Sequence, residues 1–228
     1  MSGFDSARAA EYDKTAKKSI IGYEALYEIV MAVLAGHPKE RVLVLGAGTG
    51  KEAILLKQLF ADVEVVAVDP SEPMLDVARA KIEAAGLEID VRCGRLEDFE
   101  DLTGLDAVVM IGVLHHLSGP PEQKALLTRL KSCLRPNGLL ILGCHVGPLS
   151  DPIRARTWEQ QWRDMGANDI EIAERRLKIR EIAALDPRDL SLWLSQAGFW
   201  HNERFFQSLF FEVWGCVGGE VESASTKI

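Results

Sequence analysis

An α/β fold, a mainly parallel seven-stranded sheet with helices on both faces, follows from three observations. Apolar runs of strand length alternate with helical segments, each run is nearly unbroken as a doubly covered strand requires, and a glycine-rich turn joins the first run to its helix. Ahead of the sheet, residues 6–34 carry Ile20, Tyr23, Leu26, Tyr27, Val30 and Leu34 at helical spacing, which predicts helices stopped by Gly36 and Pro38. Residues 41–46 (RVLVLG) read as the first strand and 51–60 as its helix. The second strand, 63–68, ends at Asp69, and Ser71 is placed to cap a helix running to Gly86. A short third strand covers 89–92 and a fourth 105–111. Pro120 and Pro121 then open a helix with Leu126, Leu127, Leu130 and Leu134 on one face. Asn137 and Gly138 turn the chain into a fifth strand, 139–145, and right-handed crossovers connect the whole series.

The pattern then changes. Residues 147–186 read as helical with no strand, and Trp158, Trp162 and Met165 recur at i, i+4, i+7. A last helix, 189–197, ends at Gly198, and the aromatic-rich stretch 199–216 suits an antiparallel hairpin turning around Gln207 and Ser208. Residues 218–228 have little to bury and read as a frayed tail. The expected organisation is an N-terminal helical lid (1–38) and one domain (39–217) that carries a helical insertion at about 147–186.

Of the 228 residues 47% are hydrophobic and 26% charged, which supports an ordinary globular core and not a disordered chain. A formal charge of −8, with no basic run longer than Lys17-Lys18 and Arg175-Arg176, disfavours nucleic acid as partner. The first 18 residues lack the pattern of a signal peptide, and no apolar run is long enough to span a bilayer. Cys93, Cys133, Cys144 and Cys216 are dispersed without CxxC spacing, so a reduced, metal-free, cytoplasmic protein is expected.

Gly46-Ala47-Gly48-Thr49-Gly50 lies between a strand and a helix. There glycines let backbone approach a ligand, and the helix N-terminus favours a carboxylate or phosphate. Alone this is a weak signal, since tight turns also use glycine. Asp69, 19 residues after Gly50 at the end of the second strand, can accept both hydroxyls of a ribose. Turn and acid together predict a nucleoside site.

These residues resemble motifs of the class I S-adenosylmethionine-dependent methyltransferases. Residues 42–50 (VLVLGAGTG) resemble the first motif, 66–71 (VAVDPS) with Met74 the second, and 134–139 (LRPNGL) the turn into the fifth strand. Residues 113–117 (VLHHL) match a pattern common among members that act on small molecules. The resemblance implies a Rossmann-like sheet, S-adenosylmethionine as cofactor, S-adenosylhomocysteine as product and a small-molecule acceptor. It also implies that Gly46, Gly48 and Gly50 line the methionine part, Asp69 holds ribose and Met74 packs on adenine, with Ala47, Pro70 and Ile111 beside them. Where relatives often place Gly-Asp after the third strand, this chain has Cys93-Gly94-Arg95-Leu96, so the Leu96 backbone is the expected adenine contact. Tyr12 and Tyr23 fall in helices that close over the cofactor in such proteins.

Methyl transfer from a sulfonium needs alignment and exclusion of water, and a base only for a protonated acceptor such as a hydroxyl or amine. His115 and His116 follow the fourth strand, where an acceptor approaches, and are the candidate bases; they also read as a cofactor-contacting loop without that role. His145 is a further candidate on the acceptor side. Trp158 and Trp162 read equally as core or as acceptor wall. The layout also resembles a branch that includes the carboxy-S-adenosylmethionine synthases, through 19–23 (SIIGY), 170–176 (IEIAERR) and 197–199 (AGF). In that branch an arginine pairs with the cofactor's added carboxylate, and Arg176 falls at the matching place; a surface charge is the plainer reading. A cofactor-binding protein without catalysis is a third reading and a dinucleotide-dependent oxidoreductase a weaker one. The apolar hairpin and N-terminal helices leave room for a homodimer.

Overall fold

Alternation along each strand sorts the apolar residues into two cores, one on either side of a sheet. A computed structural model describes residues 6–147, 150–180, 182 and 184–219. In β1 (Arg41–Leu45), Leu43 and Leu45 join one core while Val42 and Val44 join the other. In β2 (Glu64–Asp69), Val66 and Val68 oppose Val65 and Ala67, and in the fourth strand, β4 (Leu105–Ile111), Val108 and Met110 oppose Ala107 and Val109. The first core is closed by α5 (Pro120–Cys133), through Leu126, Leu127 and Leu130, and by α8 (Pro187–Gln196), through Leu190 and Leu194. The second is closed by α2 (Tyr23–Ala35), through Leu26, Val30 and Leu34, and by α3 (Lys51–Leu59), through Ala53 and Leu56.

With β3 (Asp90–Cys93), β5 (Leu134–His145), β6 (Phe199–Ser208) and β7 (Phe211–Gly218), the described residues form a seven-stranded sheet of order β3-β2-β1-β4-β5-β7-β6. The first five strands run parallel, and β7 lies antiparallel between β5 and β6. From β1 the chain steps outward through β2 to β3, then returns to the opposite side of β1 for β4. That reversal opens a crevice at the C-terminal ends of β1 and β4, where ligands of such sheets bind. Around it lie α1 (Ser6–Ser19), α4 (Glu72–Ala84), α6 (Pro152–Asp164) and α7 (Asp169–Arg180). Asp151 caps α6 by accepting from the backbone N–H groups of Ile153 and Arg154, both at 2.9 Å. Among the described residues no helix is long and apolar enough to cross a membrane.

Three expectations shift. The hairpin turns at Leu209 and Phe210, not at Gln207 and Ser208, because Phe210 is buried against Trp158, Trp162 and Ile172 while Leu209 takes a left-handed conformation (φ 44°). β5 begins at Leu134, before the Asn137-Gly138 turn, with Asn137 absorbing the irregularity at φ 60°. Gly218 belongs to β7, paired with Gly138, while the rest of the expected tail from residue 220 lies outside the described residues.

Buried Asp106 ties the edge of this frame together. Its Oδ2 accepts the N–H groups of Glu40 (2.5 Å) and Arg41 (2.7 Å), and its Oδ1 pairs with Arg135. Asp106→Ala strips three donors of their acceptor at once, and a loss of about 2–4 kcal/mol in unfolding free energy is expected by urea titration. A change below about 0.5 kcal/mol would mean that solvent replaces those bonds without cost.

Candidate active site

The turn after β1 holds Gly46, Gly48 and Gly50 at φ 72°, 52° and 85°, a region costly for any residue with a side chain. Gly46 N and Ala47 N both donate to Val68 O (2.7 and 3.0 Å), fastening the turn to the end of β2. Asp69 continues the same joint. Its Oδ2 accepts Gly48 N at 2.9 Å and its Oδ1 accepts Ser71 N at 2.8 Å, so one carboxylate orders both the glycine turn and the start of α4. Burial pushes its pKa up while the two backbone N–H bonds oppose the shift.

A Cβ built on Gly48 would lie 3.3 Å from Met74 Cε and 4.0 Å from Tyr12 Cε1, so the bare backbone leaves a cradle that a side chain would fill. Leu96 sends its side chain into the core, in the short turn that follows β3. Asp98, one of two acids in that turn, accepts the Arg95 backbone N–H at 2.7 Å. Ala47 is buried in the turn, Pro70 is exposed beside Asp69, and Ile111 ends β4.

Helix α1 lies across this cradle. Tyr12 Oη comes within 3.9 Å of a Cβ position on Gly112, just after β4. One residue on, Asp13 accepts the Thr49 hydroxyl (2.6 Å) and Lys81 Nζ (2.5 Å), which joins α1 to the glycine turn and to α4. Beneath it Tyr27 donates to buried Glu52 Oε1 at 2.9 Å, and Tyr23 meets Tyr27 edge-on at 5.0 Å. Burial raises the Glu52 carboxyl to about 7 and the Tyr23 phenol to about 12, and lifts Tyr12 well above its usual range.

Known proteins share the sequence pattern and the fold that hold this turn. A family model described as "Methyltransferase domain" matches residues 42–138, from β1 through the Asn137-Gly138 turn. The carboxy-S-adenosyl-L-methionine synthase of Aeromonas salmonicida (strain A449) is 24% identical over 216 residues, covering 91% of this chain and 87% of its own. Residues 42–138 are thus similar to a methyltransferase domain, and the chain as a whole to the synthase. Solved structures show the same fold. A putative O-methyltransferase of Nostoc punctiforme PCC 73102 has a TM-score of 0.64 at 17% identity and covers 85% of this chain, which spans 56% of its length. Magnesium protoporphyrin IX methyltransferase of Synechocystis PCC 6803, solved with S-adenosylhomocysteine bound, has a TM-score of 0.61 at 20% identity, covering 87% and 84%. The glycine cradle, with an acid at its edge whose oxygens each keep a lone pair, fits S-adenosylmethionine.

Across the crevice the chain gathers three imidazoles. His115 lies 4.4 Å from His116 and 4.6 Å from His145, ring centre to ring centre, and His145 stacks edge-on against Phe211. His115 Nδ1 accepts the His145 backbone N–H at 3.2 Å, which assigns its proton to Nε2. Burial first, then its imidazole neighbours, hold His115 well below the usual range, and burial lowers His145 to about 4. Both rings are therefore neutral at physiological pH, and His145 Nδ1 is buried without a hydrogen-bond partner among the described residues. His116 is exposed on the same turn.

The structure separates the remaining candidates. Trp158 and Trp162 pack on each other at 5.3 Å and on Ile172 and Phe210, forming the core of the α6–α7 cap. Arg176 is half-exposed on α7 and pairs with Glu159 at 3.3 Å. Its neighbour Arg175, not singled out from sequence, faces inward: it lies over the Trp162 ring at 5.5 Å and donates to Thr15 of α1 at 3.1 Å. Glu52 and Tyr27 were also missed, since an acid in the first turn of a helix and a tyrosine on an apolar face are unremarkable in sequence.

Proposed function

We propose that the protein is an S-adenosylmethionine-dependent methyltransferase that transfers a methyl group to a small-molecule acceptor held beneath α1, the 113–117 turn and the α6–α7 cap, with α1 and α2 acting as a lid. The observation that carries this reading is the tie between cap and lid. Arg175 of α7 bonds Thr15 of α1, and Arg175 and Lys18 both lie over Trp162. Two helical layers joined to each other over the crevice favour a small acceptor over a folded macromolecule, and the charge of −8 weighs further against nucleic acid. The four free cysteines suit a reducing, cytoplasmic setting.

S-adenosylmethionine supplies an already activated sulfonium methyl. The chain then has to align and to exclude water. Gly46, Gly48 and Gly50 cradle the donor and Asp69 holds its ribose, with Met74 and Leu96 beside the base. Neutral His115 offers its Nε2–H as a hydrogen-bond donor to an acceptor oxygen or nitrogen, while exposed His116 takes up a proton where the acceptor must lose one. The test is formation of S-adenosylhomocysteine, measured by mass spectrometry, when the protein meets fractionated small-molecule extracts. Turnover with such a fraction supports the reading; turnover only with protein or nucleic acid overturns it.

A second reading, synthesis or use of a carboxylated cofactor, draws support from relatives that are carboxy-S-adenosyl-L-methionine synthases and align over 91% of this chain. It requires Arg176 to exchange Glu159 for the cofactor's carboxylate. A carboxylated nucleoside co-purifying with the protein would bring this reading forward. Full affinity for that nucleoside in an Arg176→Ala variant would then remove Arg176 from the role.

A further inference from the structure

Two buried donors in the α6–α7 cap are left without acceptors. Trp158 and Trp162 are only 4% and 3% exposed, and neither indole N–H meets a hydrogen-bond partner among the described residues. Elsewhere the fold satisfies such a group: buried Trp214 donates its indole N–H to Glu212 Oε2 at 2.9 Å. An orphaned buried N–H costs about 1–3 kcal/mol, and here two occur in rings one helical turn apart, 5.3 Å between centres. Packing alone does not require that cost, because phenylalanine would fill such a core with an apolar ring and no donor.

Cations gather at the same place. Lys18 Nζ lies 5.8 Å and Arg175 Cζ 5.5 Å from the centre of the Trp162 ring, one brought by α1 and the other by α7. Arg175 is steadied by its bond to Thr15, and among the described residues no carboxylate pairs with Lys18. Glu159, next to Trp158 on α6, is engaged by Arg176 at 3.3 Å and by Arg163 at 3.9 Å. Lysine, arginine and tryptophan side chains donate hydrogen bonds and accept none, so the group that completes this set must accept only, and two cations ask that it be negative. An ionised carboxylate is both.

We propose that Trp158, Trp162, Lys18 and Arg175 form a carboxylate site at the junction of lid and cap, and that the methyl acceptor carries this carboxylate. Tyr12, which borders the Gly48 cradle, and Lys18 are six residues apart in α1, about 9 Å along the helix axis, which sets the scale of the molecule that would span from donor to anion site. That the carboxylate belongs to the acceptor rests on the function proposed above; the site itself does not.

The five tryptophans give five indole N–H signals, which 1H–15N NMR of the whole protein can follow during titration with butanoate and, separately, with butanamide. Trp158→Phe and Trp162→Phe assign the two cap signals. Both should move downfield and saturate with butanoate and stay in place with butanamide, which has the same shape without the charge. Lys18→Met should weaken butanoate by about tenfold, the loss of one charge-assisted contact, and because Lys18 is only half-buried it serves even where a tryptophan variant does not fold. Unmoved cap signals, an equal response to acid and amide, or unchanged affinity in Lys18→Met would overturn the site. No methyl donor is present, so that failure leaves methyl transfer standing. With the site established, S-adenosylhomocysteine formation should follow the part of the small-molecule extracts retained by anion exchange. Formation confined to the unretained part would overturn the carboxylate as a feature of the acceptor.

Discussion

Asp69→Asn is expected to weaken S-adenosylhomocysteine binding by roughly 10²–10⁴-fold, equivalent to about 3–6 kcal/mol for two charge-assisted bonds to ribose hydroxyls. The effect has two sources. The amide lacks the charge that strengthens such bonds, and it has one acceptor oxygen where the carboxylate uses two, one for Gly48 N and one for Ser71 N. Turning its NH2 toward either backbone N–H sets donor against donor, so the glycine turn or the start of α4 loses its anchor. Stability should move far less than affinity. The folded pKa of Asp69 is raised, so its titration contributes stability that is present below the unfolded carboxyl pKa and lost as pH rises through the folded value. At neutral pH the ionised acid is thus a net burden on the empty fold, and its removal offsets part of the cost of the missing anchor. Calorimetric titration of the variant checks the first claim and its thermal melt the second. A loss below about tenfold would show that the ribose is held elsewhere.

Residues whose backbone role demands a particular side chain were legible in the sequence; residues brought together by packing were not. Gly46, Gly48 and Gly50 announce themselves because positive φ is costly for other residue types, and Asp69 because it ends a strand at fixed distance from them. The sheet strands were legible as apolar runs because both faces of each are covered. The hairpin turn was displaced by two residues because polar Gln207 and Ser208 look like a turn, whereas a leucine at φ 44° does not. Only the burial of Phe210 in the α6–α7 cap selects the register found. Glu52 and Tyr27 are 25 positions apart, and no periodicity reports that α2 sets one against the other. Arg175 and Arg176 differ by one step on a helix, a rotation of roughly 100°. Motif matching selects the second, while the docking of α7 on α1 and α6 turns the first inward.

The tightest contact in the crevice gives the other large effect. Gly46 has φ 72°, and a Cβ there would come 2.1 Å from Val113 Cγ2, far inside contact distance. Gly46→Ala therefore adds two penalties. The left-handed conformation costs roughly 1–2 kcal/mol for a residue with a side chain, and forcing a methyl into filled space costs about 1–3 kcal/mol more. The sum, about 2–5 kcal/mol, should lower the Tm of a domain of this size by roughly 4–20 °C. Function should fall with it, since the clash lies between the turn that leads to His115 and His116 and the glycine turn held on Val68 O. Adding Val113→Ala separates the two penalties. The double variant should recover the overpacking part, because the colliding methyl is gone, and keep the backbone part, because φ at position 46 is unchanged. A Gly46→Ala protein as stable as wild type would mean that the turns after β1 and β4 do not approach as described. A double variant no better than the single would assign the whole cost to the backbone.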